Sequence, residues 1–278
     1  MTKTVIIGAG GQLGRELSMI YPDAIKYYHS GNGNCNIDLS DSIQIYCQLK
    51  KIKPDVIINA AALANVDTCE KNRRLAYSIN AEPLKILSSI SRELGALLIH
   101  VSTDYVFDGE TGNYNETSLP NPINYYGLSK LVGDIYALGY TNSIVVRTSG
   151  VYGYNNNFPL FVLNNLRNNY PVSAIKGFYS PIHAKLLAEG IRVIADTDFR
   201  GLINIAGERT SRYDFAIEIA KKFHLNQELI KENDSLLSLN ARRPFDSSLD
   251  CSLAKQIIKI DFSSLTANIK AFEQRLAT

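Results

Sequence analysis

The 278-residue chain has no tryptophan and only four cysteines, Cys35, Cys47, Cys69 and Cys251. No two of them stand at a Cys-x-x-Cys spacing, so a zinc site and a disulfide scaffold are both poor readings and buried or incidental thiols the better one. The histidines His29, His100, His183 and His224 are equally scattered, and no metal site is implied. Excess charge of either sign is also missing: 29 Lys and Arg against 27 Asp and Glu leave +2. Nothing in that balance points to a nucleic-acid partner or a membrane surface. No apolar run approaches the length of a bilayer span. A strand begins almost at the N-terminus, leaving no room for a signal sequence, and the chain reads as cytoplasmic.

What remains is an ordinary globular composition, 45% hydrophobic and 20% charged. The length suffices for one large domain or two intimate ones. Thr4-Val5-Ile6-Ile7 is a β-branched run that ends in Gly8-Ala9-Gly10-Gly11-Gln12-Leu13-Gly14. Helix-compatible residues follow, from Arg15 to Ile20. Strand, glycine turn and helix together form the setting in which a glycine fingerprint holds a dinucleotide. At the spacing Gly8, Gly11, Gly14, the first glycine permits a tight turn and the second lets the backbone approach a pyrophosphate. The third allows close helix–sheet packing, and the helix N-terminus then faces the phosphates.

Ala24 to Tyr28 reads as the second strand. An acidic residue just beyond it would bind the ribose 2′-OH of NAD. His29-Ser30-Gly31-Asn32-Gly33-Asn34 contains none, so NADP(H) is favoured and NAD(H) admitted, with Arg15, His29 or Ser30 as 2′-phosphate contacts. Ser40-Asp41-Ser42 caps a helix running to about Lys51. Val56 to Ala62 is an apolar strand ending in the small residues Ala60, Ala61 and Ala62, against which a cofactor can lie. A helix is expected from about Arg73 to Gly95 and a strand from Ala96 to Val101, leading into Ser102-Thr103-Asp104-Tyr105-Val106-Phe107. Ser143 to Arg147 is another strand. After residue 150 the β–α rhythm loosens, with helices near 158–168, 183–196, 211–223 and 264–276 and a strand at Leu202–Ala206.

The stretch Asn124-Tyr125-Tyr126-Gly127-Leu128-Ser129-Lys130 carries the chemistry. Tyr126 and Lys130 are four residues apart and share one helical face. A phenol with an ordinary pKa near ~10 becomes a proton-transfer group when an ammonium stands beside it. A hydroxyl at Thr103, just beyond a central strand, completes a Ser/Thr–Tyr–Lys set.

Together these motifs resemble the extended short-chain dehydrogenase/reductase family, and within it the branch that reduces dTDP-4-dehydrorhamnose. The resemblance is carried by Gly8–Gly14, Asp38-Leu39, Asn59–Ala62, Val66-Asp67 with Glu70, Ser102–Phe107, Pro122–Asn124 leading to Tyr126-Gly127 and Lys130, Arg147–Ser149 with Val151–Gly153, and Arg243-Pro244. It implies an α/β fold: a Rossmann-type doubly wound parallel sheet at 1–150, with 183–206 returning to it. A smaller C-terminal substrate-binding lobe would comprise 151–182 and 207–278. It further implies that Gly8, Gly11, Gln12, Leu13 and Gly14 wrap the pyrophosphate, Asp38 and Leu39 border the adenine, and Ala60, Ala61 and Ala62 pack on the cofactor. Thr103 would orient the substrate carbonyl and Tyr126 would donate a proton to it. Lys130 would bind the nicotinamide ribose and lower the Tyr126 pKa. Val66, Asp104, Tyr105 and Arg243 would face the dTDP-sugar, and a homodimer is the assembly admitted.

Related dehydratases carry Thr-Asp-Glu where this chain has Thr103-Asp104-Tyr105. Without that glutamate, elimination lacks its base and reduction is favoured. Three departures fall on the substrate side. Gly150 stands where the family has a tryptophan, Leu63-Ala64 replaces a His-Thr or Tyr-Thr pair, and Gly177-Phe178-Tyr179-Ser180-Pro181-Ile182 replaces Gln-Tyr-Gly-x-Pro-Thr. Phe178 or Tyr179 is the expected substitute ring. Two other readings share the motifs: an NADP-binding regulatory subunit similar to the methionine adenosyltransferase β subunit, and a sugar-nucleotide epimerase.

Overall fold

Strand residues of alternating destination build the sheet. The structure is a computed structural model, and it describes residues 2–29, 36–154, 157–233 and 240–277. In chain order, β1 (Thr4–Ile7), α1 (Gln12–Ile20), β2 (Ile25–Tyr27), α2 (Ser42–Ile52) and β3 (Val56–Asn59) come first. α3 (Val66–Lys71), α4 (Arg73–Asn80), α5 (Glu82–Leu94), β4 (Leu97–Val101), α6 (Tyr125–Leu138) and β5 (Ser143–Arg147) follow. The remainder is β6 (Ser149–Tyr152), α7 (Phe158–Arg167), β7 (Val172–Ile175), β8 (Phe178–Tyr179), β9 (Pro181–His183), α8 (Ala184–Ala195) and β10 (Gly201–Asn204), then β11 (Thr210–Ser211), α9 (Arg212–Lys222), β12 (Ile230–Asn233), α10 (Ser252–Ile257) and α11 (Leu265–Leu276).

The main sheet is six-stranded and parallel, in the order β10-β5-β4-β3-β1-β2. Ile6, Ile58, Ile99 and Val146 bury on one face, in a cluster with Leu17 of α1 and Leu187 and Ile191 of α8. Their neighbours Val5, Ile7, Ile57, Leu98 and Val145 bury on the other, with Ile45 of α2 and Leu84 and Leu87 of α5. Strands buried on both faces are what helix-covered parallel sheets require. The sheet order reverses after β1, and ligands in such sheets bind at the carboxyl ends beside that switch point.

A third cluster joins Tyr152, Leu163, Tyr179, Phe215, Ile219 and Phe272, drawn from α7, α9, α11 and the short strands. Those strands pair only in twos: β6 with β9, β7 with β12, and β8 with β11. Among the described residues, no helix is long and apolar enough to cross a membrane.

Several boundaries differ from the sequence reading. The helix expected over Arg73–Gly95 is two helices, interrupted at Ala81. Pro83 sits in the first turn of α5, where its missing N–H costs nothing; within one continuous helix it would break the hydrogen-bond ladder. Val66–Lys71 forms a further helix, capped by Asn65, whose Oδ1 accepts from Thr68 N–H at 2.8 Å. β3 ends at Asn59, so Ala60–Ala62 leave the sheet instead of extending the strand.

Candidate functional site

The glycine turn after β1 is shaped by contacts that tolerate no side chain. Gly8 has φ +87°, and a Cβ there would stand 2.7 Å from Ala61 N. At Gly14 a Cβ would meet Gly8 O at 2.0 Å, which fixes how closely α1 packs on the turn. Gly11 differs: its nearest neighbour would be Gly8 O at 3.4 Å, and its free side faces a cavity. Gly11 is also the N-cap of α1 and supplies no side-chain cap, so the first N–H groups stay available to an anion. These residues fit a dinucleotide pyrophosphate.

The cavity holds about 410 Å³. Gly11, Gln12, Leu13, Ala60 and Ala62 form one wall, and Val66, Thr103, Asp104, Tyr105, Tyr126 and Lys130 contribute to the other; Gly150 also lines it. Gly8, Gly14 and Ala61 form the turn rather than the lining. Asp38 lies outside the cavity, exposed, accepting from Ser40 N–H and Oγ–H at 2.8 and 2.7 Å, while Leu39 is buried in the core. Arg15 is exposed and donates from Nε to Gly10 O, and His29 is exposed; Ser30 and Cys35 lie outside the described residues.

α6 carries Tyr126 and Lys130 on one face. Asn124 caps it, its Oδ1 accepting from Gly127 N–H at 2.9 Å, and Glu70 accepts from Tyr125 N–H at 2.9 Å. Gly127 lets the helix approach the Thr103–Tyr105 turn, for a Cβ there would lie 1.9 Å from Tyr105 O. Tyr105 in turn meets the Tyr126 ring edge-on at 5.8 Å.

Lys130 is buried, donating to Val101 O at 2.7 Å with its Nζ 3.3 Å from His100 Nε2. Burial lowers its pKa to about 8, although Asp134 pulls the other way. Behind it, Asp134 sits 3.7 Å from His100 and accepts from Arg147 Nε at 3.2 Å. His100 is driven well below its ordinary pKa, first by burial and then by Lys130, and stays neutral.

Tyr126 keeps part of its surface on the cavity, yet burial raises its pKa above 10, with a hydrogen bond from Thr103 only partly opposing. This corrects the expectation that Lys130 lowers it. The ammonium is occupied by Val101 O and His100, so desolvation wins and Tyr126 stays a protonated donor at neutral pH.

The substrate-side residues fare differently. Asp104 is buried with both oxygens engaged: Ser149 Oγ and Ser247 Oγ donate at 2.7 and 2.5 Å, and Thr103 Oγ1 at 3.1 Å. Burial raises its pKa against those donors. Arg243 does not line the cavity; it donates to Asp67 Oδ2 at 2.8 Å and to Ala241 O at 2.9 Å. Tyr179 covers Gly150, two of its ring carbons lying 2.8 and 2.9 Å from where a Cβ would be. Phe178 instead packs against Arg209 and Phe245.

Sequence reading left Asn80, His100 and Asp134 without a role. Buried Asn80 accepts from Leu63 N–H at 2.8 Å and donates to Leu63 O at 3.2 Å and Ser129 Oγ at 3.0 Å. Ser129 passes the contact to Tyr126 O at 2.8 Å. The only sequence signal was an amide on an otherwise apolar helical face. Replacing Asn80 with alanine orphans Leu63 N–H and leaves Leu63 O only the weak Cys69 Sγ–H donor at 3.2 Å, and is expected to cost about 2 kcal/mol. Urea denaturation checks this, and a midpoint shift below a third of that loss would contradict the network.

The family model described as the RmlD substrate binding domain matches residues 2–278. A dTDP-4-dehydrorhamnose reductase of Aggregatibacter actinomycetemcomitans is 33% identical, over 99% of this chain and 100% of that protein. This chain belongs to the RmlD family.

Two solved structures share the fold at TM-score 0.90. One is a hypothetical dTDP-4-dehydrorhamnose reductase from Sulfolobus tokodaii, 44% identical, covering 94% of this chain and 97% of that one. The other is the Bacillus anthracis reductase in complex with NADP, 28% identical over the full length of both chains. In this chain the uncapped α1 N-terminus and the Thr103–Tyr126–Lys130 wall belong to one cavity.

Proposed function

We propose that this protein reduces the 4-keto group of dTDP-4-dehydrorhamnose in the cytoplasm, with NADPH as the preferred reductant. The observation that carries this reading is a partly open Tyr126 sharing one cavity with Thr103, Lys130 and an uncapped helix N-terminus. NADP(H), when bound, supplies the hydride. Gly11 and the first N–H groups of α1 would hold its pyrophosphate, Ala60 and Ala62 would pack on it, and Lys130 would bind its nicotinamide ribose. Arg15 and His29 stand as the 2′-phosphate contacts. With substrate bound, Thr103 Oγ1 would turn its one proton from Asp104 to the substrate carbonyl, and Tyr126 would give its phenolic proton to the oxygen as charge develops there. The lobe of 151–182 and 207–278 contributes the sugar-nucleotide contacts. Exposed Leu128, Ile135 and Leu138 on α6 support a homodimer, which the mass in solution tests.

Adding the keto sugar to protein and NADPH is expected to consume NADPH steadily. Protein that binds NADPH but leaves it unoxidised would match the regulatory-subunit reading, and protein purifying with firmly held NAD would match the epimerase.

A pH dependence follows from Lys130. Its ammonium deprotonates at about 8, so kcat/KM should fall above that pH; a flat profile to pH 9.5 would remove Lys130 from the mechanism. Stability moves oppositely. The folded pKa is depressed from 10.5 to about 8, so between those values the unfolded chain binds more protons and Lys130's contribution to stability rises with pH.

A further inference from the structure

Three arginines around the cavity are neutralised. Arg147 is held by Asp134, Arg209 donates twice to Asp246 at 2.9 and 2.8 Å, and Arg243 is paired with Asp67. Arg212, the first residue of α9, has no carboxylate within ion-pair distance among the described residues. Its guanidinium instead lies over the Tyr179 ring, 4.4 Å from the centroid, and its positive charge acts on the Tyr105 phenol, opposing the rise that burial gives its pKa. Tyr105 lines the cavity beside Tyr126, and Tyr179 stands behind the wall, covering Gly150, which lines it.

We propose that Arg212 is the cation that holds the diphosphate of the nucleotide sugar. The inference rests on the nucleotide-sugar reading above. A diphosphate entering a partly desolvated cavity needs a positive partner, and a planar guanidinium offers paired N–H donors in a fork that matches phosphate oxygens. Stacking on Tyr179 fixes that fork before the ligand arrives, so less side-chain freedom is lost on binding. The arrangement also gives Gly150 a reason. Any side chain there would displace Tyr179, and with it the platform under Arg212.

Calorimetric titration at saturating NADPH, with dTDP and thymidine as probes, tests the inference. Arg212→Met should weaken dTDP binding roughly 10- to 100-fold while leaving thymidine and NADPH binding unchanged. Arg212→Lys, which keeps the charge without the fork, should recover part of the loss. The wild-type affinity for dTDP should fall with added salt more steeply than that of Arg212→Met. Wild-type-like dTDP binding by Arg212→Met overturns the inference and leaves the reductase reading standing. So does a loss that appears instead in Arg242→Met, since Arg242 is the exposed arginine that precedes Arg243. If the wild type binds NADPH but no dTDP, the nucleotide-sugar reading itself fails and the inference falls with it.

Discussion

Tyr126→Phe is expected to lower kcat about 10³-fold while NADPH affinity and fold stay as in the wild type, since positioned acids contribute roughly 10²–10⁴-fold. The substitution removes one oxygen and keeps the ring that packs edge-on against Tyr105. α6 remains capped by Asn124 and Glu70, so Lys130 keeps its place. Burial raises the Tyr126 pKa, so the phenol carries the proton that the substitution removes. Steady-state turnover alongside an NADPH titration separates the two quantities. Weakened NADPH binding with unchanged kcat would mean that Tyr126 serves the cofactor alone.

The second large effect lies in the glycine turn, where two substitutions should part company. Gly14→Ala places a methyl 2.0 Å from Gly8 O and 2.7 Å from Ala9 Cα, both backbone atoms that cannot step aside. A loss of about 3 kcal/mol is expected, from overpacking at the junction of β1 and α1, with NADPH binding lost as the turn deforms. Gly11→Ala meets only Gly8 O at 3.4 Å, and at φ −72° its backbone suits any residue. Its methyl projects into the cavity instead. Stability should hold within about 0.5 kcal/mol while NADPH affinity falls at least tenfold. Thermal unfolding and a binding titration on both variants check the contrast. Equal destabilisation would place Gly11 in the packing rather than at the cofactor.

The first half of the fold is legible because each signal there is local. Thr4–Ile7, the three glycines and Gln12–Ile20 form a strand, a turn and a helix whose residues specify one another at short range. Tyr126 and Lys130 were likewise readable, since a helix with Asn124 as its cap puts them on one face. The break at Ala81 was also visible in principle, in Pro83. The paired strands β6 to β9 were not. Each spans two to four residues and is defined by a partner distant in sequence, as Val151 is by Ile182. Pairings of that kind leave no periodicity to read.

The electrostatics were the least legible part. Spacing suggested that Lys130 would pull the Tyr126 pKa down, yet burial of both groups and the claim of Val101 O on the ammonium reverse the sign. Arg243, beside Pro244, was expected to face the dTDP-sugar, but Asp67, 176 residues away in sequence, holds it. Arg212 carried no motif at all, and its state depends on which carboxylates are already taken. Charge pairing is a tertiary property, and a sequence shows the charges without the pairs.

The most direct test of the account follows the hydrogen itself. The protein is incubated with dTDP-4-dehydrorhamnose and NADPH deuterated at the transferable position, and the product sugar is analysed by mass spectrometry and NMR. The account predicts one deuterium at C4 of the sugar for each NADPH oxidised, with the rate of incorporation collapsing in Tyr126→Phe. Intact NADPH beside unchanged keto sugar, or a product without deuterium at C4, would contradict it.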